Sequence, residues 1–481
     1  MKILPRHVFL LVLLGGIFIA ASRPIGDPDF WWHLQTGKQI VESGTIPHAD
    51  LFSSSVMGKE WITHEWLTEI IVYLLYNKLG MVPLIVFFSA IITAAFYFAF
   101  LRAPDLSRPY IAGFVVFVGA VASAPLWGIR PQMISLLLTS IFLYLLDDYE
   151  KNRKVKSLIA LPLIMILWVN LHGGFILGIG IIGIYLGGNL LTLLATMIRK
   201  GVPPLNAWNP ILYLAGTAFL CVITALVNPN TYKILVYPFQ TLFDPAMQQY
   251  IVEWFSPDFH NPIWLPFGFL VLALIGFGMA GKGSISITRI LLVLVATYAA
   301  FRSVRHIPLF AITAAPILAD LIARFIKLPA GSETGKPLFR WLNALLILAV
   351  LISAGVVISS LPKKQLEKEA ETFPTGAADW LLENQPEGKL FNSYTWGGYL
   401  IWRLYPDYPV YIDGRADVYG AEFINDFVSI YSVENGWEQA LDATGAGLVL
   451  VEDDCRLAKA LQQSSEWHKV YQDDLSVIFQ N

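Results

Sequence analysis

Gly26-Asp27-Pro28-Asp29-Phe30-Trp31-Trp32-His33-Leu34 stands directly after the first apolar run of the chain, roughly residues 8–21, and the fold turns on what it does there. It sets two carboxylates, an imidazole and two indoles at the edge of a bilayer. Tryptophan favours the membrane–water interface, and ionisable groups near membrane depth are costly unless they face a cavity or one another. The stretch therefore predicts a membrane-spanning chain that gathers polar groups on one side.

Composition agrees. Of 481 residues, 56% are hydrophobic and 14% charged, against about 25% charged in soluble domains. Segments of about 17 to 25 apolar residues span a hydrocarbon core as helices. About eleven are expected, near residues 7–22, 83–101, 110–127, 131–147, 156–171, 174–197, 208–227, 263–281, 287–302, 307–326 and 341–361. Lysines and arginines in short loops give the orientation. With Lys2 and Arg6 inside, the inner loops carry Arg102 and Arg108, then Lys151, Arg153, Lys154 and Lys156, then Arg199, Lys200, Lys282, and Lys327 to Arg340. The expected organisation is a transmembrane domain over 1–361, with a first outer loop at 23–82 and a long outer loop at 228–262, followed by an outer domain over 362–481. A cleaved signal peptide is the alternative for the first run, since small residues Ala20-Ala21-Ser22 end it; the next loop is outside either way.

A net charge of −3 gives no basic field, so nucleic acid is not an expected partner. Two cysteines, Cys221 and Cys455, suggest neither a disulfide framework nor a metal cluster. The sequence has no Walker-type phosphate loop, no Gly-x-Ser-x-Gly elbow and no Cys/His zinc spacing, which argues against an ATP-driven pump or a serine hydrolase.

In the first outer loop, Trp61, Ile62, Trp66, Ile70, Tyr73 and Leu74 recur at helical spacing, predicting a helix over 61–76 with Glu65 and Glu69 on one side. Beyond residue 361 a charged exit (Lys363–Glu371) leads to expected strands at 389–392, 410–413, 448–451 and 475–479. These alternate with helices at 374–384, 422–433, 436–443 and 456–463, the pattern of a small, largely parallel α/β domain. The fold class is thus a polytopic α-helical membrane protein with a C-terminal α/β domain.

On this topology Asp27, Asp29, His33, His64, Glu65, Arg130, Asn170, His172, Glu253, Arg302, Arg305 and His306 all fall at or beyond the outer helix ends. Asp27 and Asp29, stiffened by Pro28, suit a general base or the ligands of a hard divalent cation such as Mg or Mn; the bland alternative is a turn capping the next helix. Arg302 and Arg305 suit a phosphate or diphosphate, or simply snorkel to lipid headgroups. Arg130 is similar but alone. Asn170 and His172 mark a Gly-rich helix end, and Glu253 is a candidate acid or acceptor-binding group. In the tail, Asn392–Tyr399 and Tyr411–Arg415 end expected strands, where ligands bind in open α/β sheets; alternatively Asp413 and Arg415 pin the domain to the membrane part.

The arrangement resembles the C-type (GT-C) integral-membrane glycosyltransferases, the superfamily of oligosaccharyltransferase catalytic subunits, protein mannosyltransferases and lipid A aminoarabinose transferases. The residues 27–34, His64-Glu65-Trp66-Leu67, Asn170–Gly174, Glu253-Trp254, Trp396–Leu400 and Asp413-Gly414-Arg415 are similar to those of a bacterial branch of it. The resemblance implies a polyprenyl-phosphate-linked sugar donor presented among the membrane lipids, and an outer acceptor that is a glycan, lipid or protein. It also implies a multi-pass protein of the bacterial inner membrane with a cytoplasmic N-terminus and an extracytoplasmic C-terminal domain. Asp27 or Asp29 would be base or metal ligand, and Arg302 and Arg305 would hold the donor phosphate. The chain departs from oligosaccharyltransferases in lacking their Trp-Trp-Asp-Tyr-Gly-type tail motif, which leaves the acceptor open. Two other classes compete: a transporter using the same polar pocket between repeated halves, although no repeat is visible, and a non-catalytic envelope scaffold.

Overall fold

In a computed structural model, residues 5–103, 109–243, 245–281, 283–326 and 337–481 are described. Each apolar run is a helix: Pro5–Ala21, Met81–Leu101, Pro109–Ser123, Pro131–Asn152, Val155–Leu171, Ile176–Lys200, Asn209–Ala225, Leu265–Met279, Ile287–Arg302, Ile307–Ala323 and Pro337–Thr372. Among the described residues, 7 helices are long and apolar enough to cross a membrane, and the apolar helices Arg6–Ala21 and Val155–Leu171 are shorter. Large apolar side chains such as Phe219, Phe269, Leu272 and Leu351 are exposed on them, which is stable where lipid is the solvent and helices satisfy their own backbone groups. The chain is a multi-pass membrane protein. Of the cations that set the expected orientation, Lys2, Arg108, Lys282 and Lys327 lie outside the described residues.

The chain forms two compact units: Met1–Arg23, Ile85–Leu235 and Val252–Ser360 in the first, Pro24–Leu84, Val236–Ile251 and Leu361–Asn481 in the second. Within the first, Pro109–Ser123 packs on Ile307–Ala323 where Gly119 meets Ala311 and Ala315, the small-residue contact that lets membrane helices approach closely. Arg102 joins the helices from within, its Nε donating to Asp147 Oδ2 at 2.8 Å and its Nη1 to the Ile312 carbonyl at 2.8 Å.

Within the second unit, helices Asp29–Ser43 and Trp66–Leu79 pack backbone to backbone at Gly37, where a Cβ would run into the Glu69 carbonyl. The helix expected from Trp61 starts only at Trp66, because the preceding backbone is already engaged: Trp61 donates to the His48 carbonyl at 2.9 Å and Asp50 to the Lys59 carbonyl at 2.8 Å. The charged exit after residue 361 also differs, continuing the Pro337–Thr372 helix; Lys363 to Glu371 is rich in good helix formers.

The sheet of the second unit comprises β1 (Lys389–Asn392), β2 (Ala446–Glu452), β3 (His468–Gln472) and β4 (Ser476–Gln480), in the order β1-β2-β4-β3. Only β1 with β2 is parallel; β2–β4 and β3–β4 are antiparallel, so the sheet is mixed rather than largely parallel. β3 and β4 are joined by a tight turn whose Asp473 Oδ1 accepts the N–H groups of Leu475 and Ser476, a local bond that sets two strands antiparallel. Residues 410–413 do not join the sheet. Val410 makes one bridge to Ser53, and the Asn392 side chain takes the Tyr411 N–H and the Ile412 carbonyl in place of a strand partner.

Candidate functional site

In the second unit, Asp27 Oδ1 accepts the Asp29 N–H at 3.1 Å at the start of the Asp29–Ser43 helix, and Asp29 Oδ1 accepts Trp32 Nε1–H at 3.2 Å. Asp27 thus closes a turn onto the first residue of the helix, whose N-cap, Pro28, makes no side-chain cap bond, and the turn fixes Asp29 as well. Glycines complete the cradle. A Cβ at Gly398 would collide with the Pro28 carbonyl, one at Gly414 with the Asp29 carboxylate, and one at Gly397 with the Ile412 carbonyl. Gln365 Oε1 accepts the Ile25 N–H at 2.8 Å, securing the chain just before. The Tyr394 hydroxyl is held protonated, its pKa raised first by burial and then by Asp29, Asp413 and Asp417.

His33, one turn into the same helix, lies against Trp32, with ring centroids 3.6 Å apart. Its Nδ1 is 3.2 Å from Glu69 Oε1 and 3.4 Å from Glu65 Oε2, and all three side chains are buried. Burial opposes charge on His33, but Glu65 and Glu69, helped by Asp29, outweigh it and raise its pKa. His64 Nε2 is 3.4 Å from Glu65 Oε1, and its ring lies on Tyr237 at 4.4 Å, whose hydroxyl donates to Asp417 at 3.0 Å. Burial pushes the Asp417 carboxyl up, against His64 and Tyr237. Among the described residues, the group of three metal-ligating side chains close enough to share an ion is His33, Glu65 and Glu69. Asp27 and Asp29 bring two carboxylates, each with one oxygen already accepting an N–H.

Asp413 and Arg415 form the buried core of this unit. Arg415 Nε and Nη2 donate to the two Asp413 oxygens at 2.8 and 2.6 Å, Nη2 meets Asp50 at 2.8 Å, and Tyr419 donates to Asp413 at 2.6 Å. The guanidinium lies 4.7 Å from the Trp61 ring centre and 5.1 Å from that of Phe52. Burial pushes Asp413 up, but Arg415 beside it wins and holds its carboxyl below the usual range. The pair pins the first-loop turn to the 413–419 segment, and Gly414 between them faces Asp29.

The first unit carries a separate set. Arg130 pairs with Glu253; the Arg305 guanidinium lies 4.6 Å from the Trp254 ring centre, and His306 meets the same ring edge-on. Ser303 Oγ donates to the Glu253 carbonyl at 2.7 Å, and the Val304 N–H to Phe255 at 2.9 Å, locking the two loops together. Burial pushes Glu253 up, yet Arg130 and then Arg305 hold it below the usual carboxylate range, so it is an ionised partner rather than a proton donor. Arg23, whose side chain donates to the Trp127 carbonyl, lies close enough to Arg130 to have its own pKa lowered, after burial, by that charge. Two guanidiniums, Arg130 and Arg305, act on the one carboxylate of Glu253, which leaves an excess of positive charge. His306 Nδ1 is buried without a hydrogen-bond partner among the described residues, and Arg302 is exposed at the helix end. Asn170 and His172 hold helix ends. Asn170 Nδ2 donates to the Ile166 and Val227 carbonyls, Asn228 Nδ2 to Asn170 Oδ1, and His172 Nδ1 accepts the Gly174 N–H while meeting Ser135 at 2.7 Å.

No protein-family model matches the sequence, and no curated protein does. Solved structures do. The archaeal oligosaccharyltransferase AglB from Archaeoglobus fulgidus, in complex with an inhibitory peptide and a dolichol-phosphate, aligns over 97% of this chain and 73% of its own, with 11% identity and a TM-score of 0.53. ArnT from Cupriavidus metallidurans, bound to undecaprenyl phosphate, aligns over 98% and 97%, with 13% identity and a TM-score of 0.51. This chain has the GT-C fold. The arabinofuranosyltransferase AftD from mycobacteria shares that fold over 100% of this chain and 42% of its own, with 14% identity and a TM-score of 0.51. Within the GT-C fold, four residues of these clusters were not singled out individually by the sequence. Arg23 hides behind the end of an apolar run, Glu69 lies one turn beyond Glu65, and Tyr394 and Asp417 come from the tail. Glu69 carried a signal in its four-residue spacing from Glu65, and Tyr394 in its place within the Asn392–Tyr399 strand end; Arg23 and Asp417 carried none.

Proposed function

We propose that the chain is a membrane glycosyltransferase that moves a sugar from a polyprenyl-phosphate-linked donor to an acceptor hydroxyl or amine at the outer face of the bacterial inner membrane. Fold alone does not assign chemistry. The observation that carries the reading is Asp29: a half-buried carboxylate just beyond the first apolar helix, cradled by Gly398 and Gly414 in a chain with the GT-C fold. AglB and ArnT are each described with a polyprenyl phosphate, which supports the donor class.

Asp29 takes the proton of the acceptor as its oxygen or nitrogen attacks the anomeric carbon. The bond from that carbon to the phosphate oxygen breaks, and the polyprenyl phosphate leaves with the electron pair. The N–H of Trp32 orients the carboxylate, the neutral Tyr394 hydroxyl lies within its electrostatic reach, and Asp27 holds the turn. Within the first unit, Arg130 and Arg305 are the cations whose chemistry suits a phosphate group.

Asp27→Asn and Asp29→Asn, made separately in purified protein and assayed with labelled polyprenyl-phosphate sugars, test the reading. Loss of a positioned general base costs about 10²–10⁴ in rate, expected for Asp29→Asn, with a smaller loss for Asp27→Asn. Transfer at the parental rate by both variants overturns it.

A further inference from the structure

Beyond sugar transfer, the first outer loop holds a buried group that the reaction does not use. His33 comes from the Asp29–Ser43 helix; Glu65 and Glu69 come from the start of Trp66–Leu79 and the residue before it. Their exposures are 5%, 4% and 1%. Two buried carboxylates face one imidazole nitrogen, at 3.2 and 3.4 Å. His33 Nδ1 can give at most one hydrogen and faces two carboxylate oxygens, Glu69 Oε1 and Glu65 Oε2. A cation accepts lone pairs from all three. The second oxygen of Glu69, Oε2, is buried with no hydrogen-bond partner among the described residues, and a buried acceptor left unsatisfied is destabilising.

We propose that His33, Glu65 and Glu69 bind a first-row divalent metal ion of the zinc class. Bonds of about 2.0–2.1 Å to zinc set tetrahedral ligand atoms about 3.3 Å apart, and the two distances from His33 Nδ1 straddle that value. The three ligand atoms all lie within 4.8 Å of one another, so a modest turn of one glutamate closes the set. One imidazole with two carboxylates favours a transition metal over magnesium or calcium. The surroundings are those of a ligand shell: His64 Nε2 stands 3.4 Å from the other Glu65 oxygen, and Trp32 covers the His33 ring. Such outer partners orient metal ligands. The ion joins two helices that touch backbone to backbone at Gly37, and it fixes the first turn of the helix that carries Asp29.

The inference does not depend on sugar transfer, and neither does its test. Full-length protein, purified in detergent without chelators after growth with added zinc, is measured for metal content. About one equivalent is expected, and Glu69→Gln and His33→Gln should each lower the metal retained after dialysis at least about tenfold, while Asp27→Asn retains it. A parent that holds no metal overturns the proposal, and so does metal retained by both ligand variants. If the variants do not fold, X-ray absorption of the cobalt-loaded parent decides. An imidazole nitrogen at about 2.0–2.1 Å supports the site, and ligation by oxygen alone overturns it.

Discussion

The carboxylate of Asp29 fills the space that a side chain at Gly414 would need. A residue of the first outer loop is thus positioned by a glycine nearly four hundred positions later in the sequence, between the two members of the buried Asp413–Arg415 pair. Gly414→Ala is expected to push the carboxylate aside. Displacement by about 1 Å costs on the order of 10²-fold in rate, so kcat should fall by about that factor with donor KM little changed. Parental turnover by Gly414→Ala would show that the position of Asp29 is not critical.

The membrane helices were legible because apolar length is a local signal, and so was the polar character of residues 26–34. The tail was harder. Lys389–Asn392 and Leu448–Val451 read as strands because they are apolar and buried, whereas His468–Gln472 is a polar edge strand with nothing in its composition to mark it. Val410–Asp413 read as a strand by the same apolar rule, but its partners are the Asn392 side chain and the Phe52–Ser54 backbone, which no local pattern reports. The site divides in the same way. Asp27, Asp29, His33 and Glu65 announced themselves near a helix end and Tyr394 at a Gly-rich strand end, while Asp417 and Arg23 are brought in by tertiary packing alone.

Arg415 is the most committed charge in the second unit. Arg415→Met leaves Asp413 and Asp50 buried without their cation, a loss of about 3–5 kcal/mol. The pH dependence gives the sign. Asp413, held low beside Arg415, contributes stability that is present above its unfolded value of about 3.9 and lost as pH falls through the lower folded value. In the variant the Tyr419 hydroxyl and the backbone N–H of residue 415 still favour the carboxylate, but the guanidinium that acts most strongly against burial is gone and the carboxyl rises. The destabilisation should therefore be full at neutral pH and shrink below about pH 4, where the aspartate is protonated in both states. Thermal or chemical unfolding of parent and variant across that range checks it; a difference independent of pH would mean that Asp413 is not the group released.

Gly37 tests the contact between the first-loop helices. A Cβ there meets the Glu69 carbonyl and the Tyr73 side chain, whereas Gly180 and Gly183 in the Ile176–Lys200 helix face open space. Overpacking costs about 1–3 kcal/mol, and an alanine with room in a helix gains up to about 1 kcal/mol over glycine. Gly37→Ala should lower the melting temperature while Gly180→Ala leaves it unchanged or raised.

The arginine cluster of the first unit makes a prediction of opposite signs. Glu253 is the carboxylate paired with Arg130, and it competes with any phosphate for that guanidinium. Removing one charge-assisted hydrogen bond costs about 1.5–3 kcal/mol, so Arg305→Met and Arg130→Met should raise the donor KM by about 10–100-fold. Arg130→Met should also destabilise the protein, because Glu253 then loses the partner that keeps its carboxyl below the usual range against burial. Glu253→Gln should act the other way, freeing Arg130 and lowering donor KM, with a steeper dependence of binding on ionic strength. Were the arginines only anchors to lipid headgroups, KM would not respond to Glu253→Gln, and the Arg305 and Arg130 variants would lose stability without losing donor affinity.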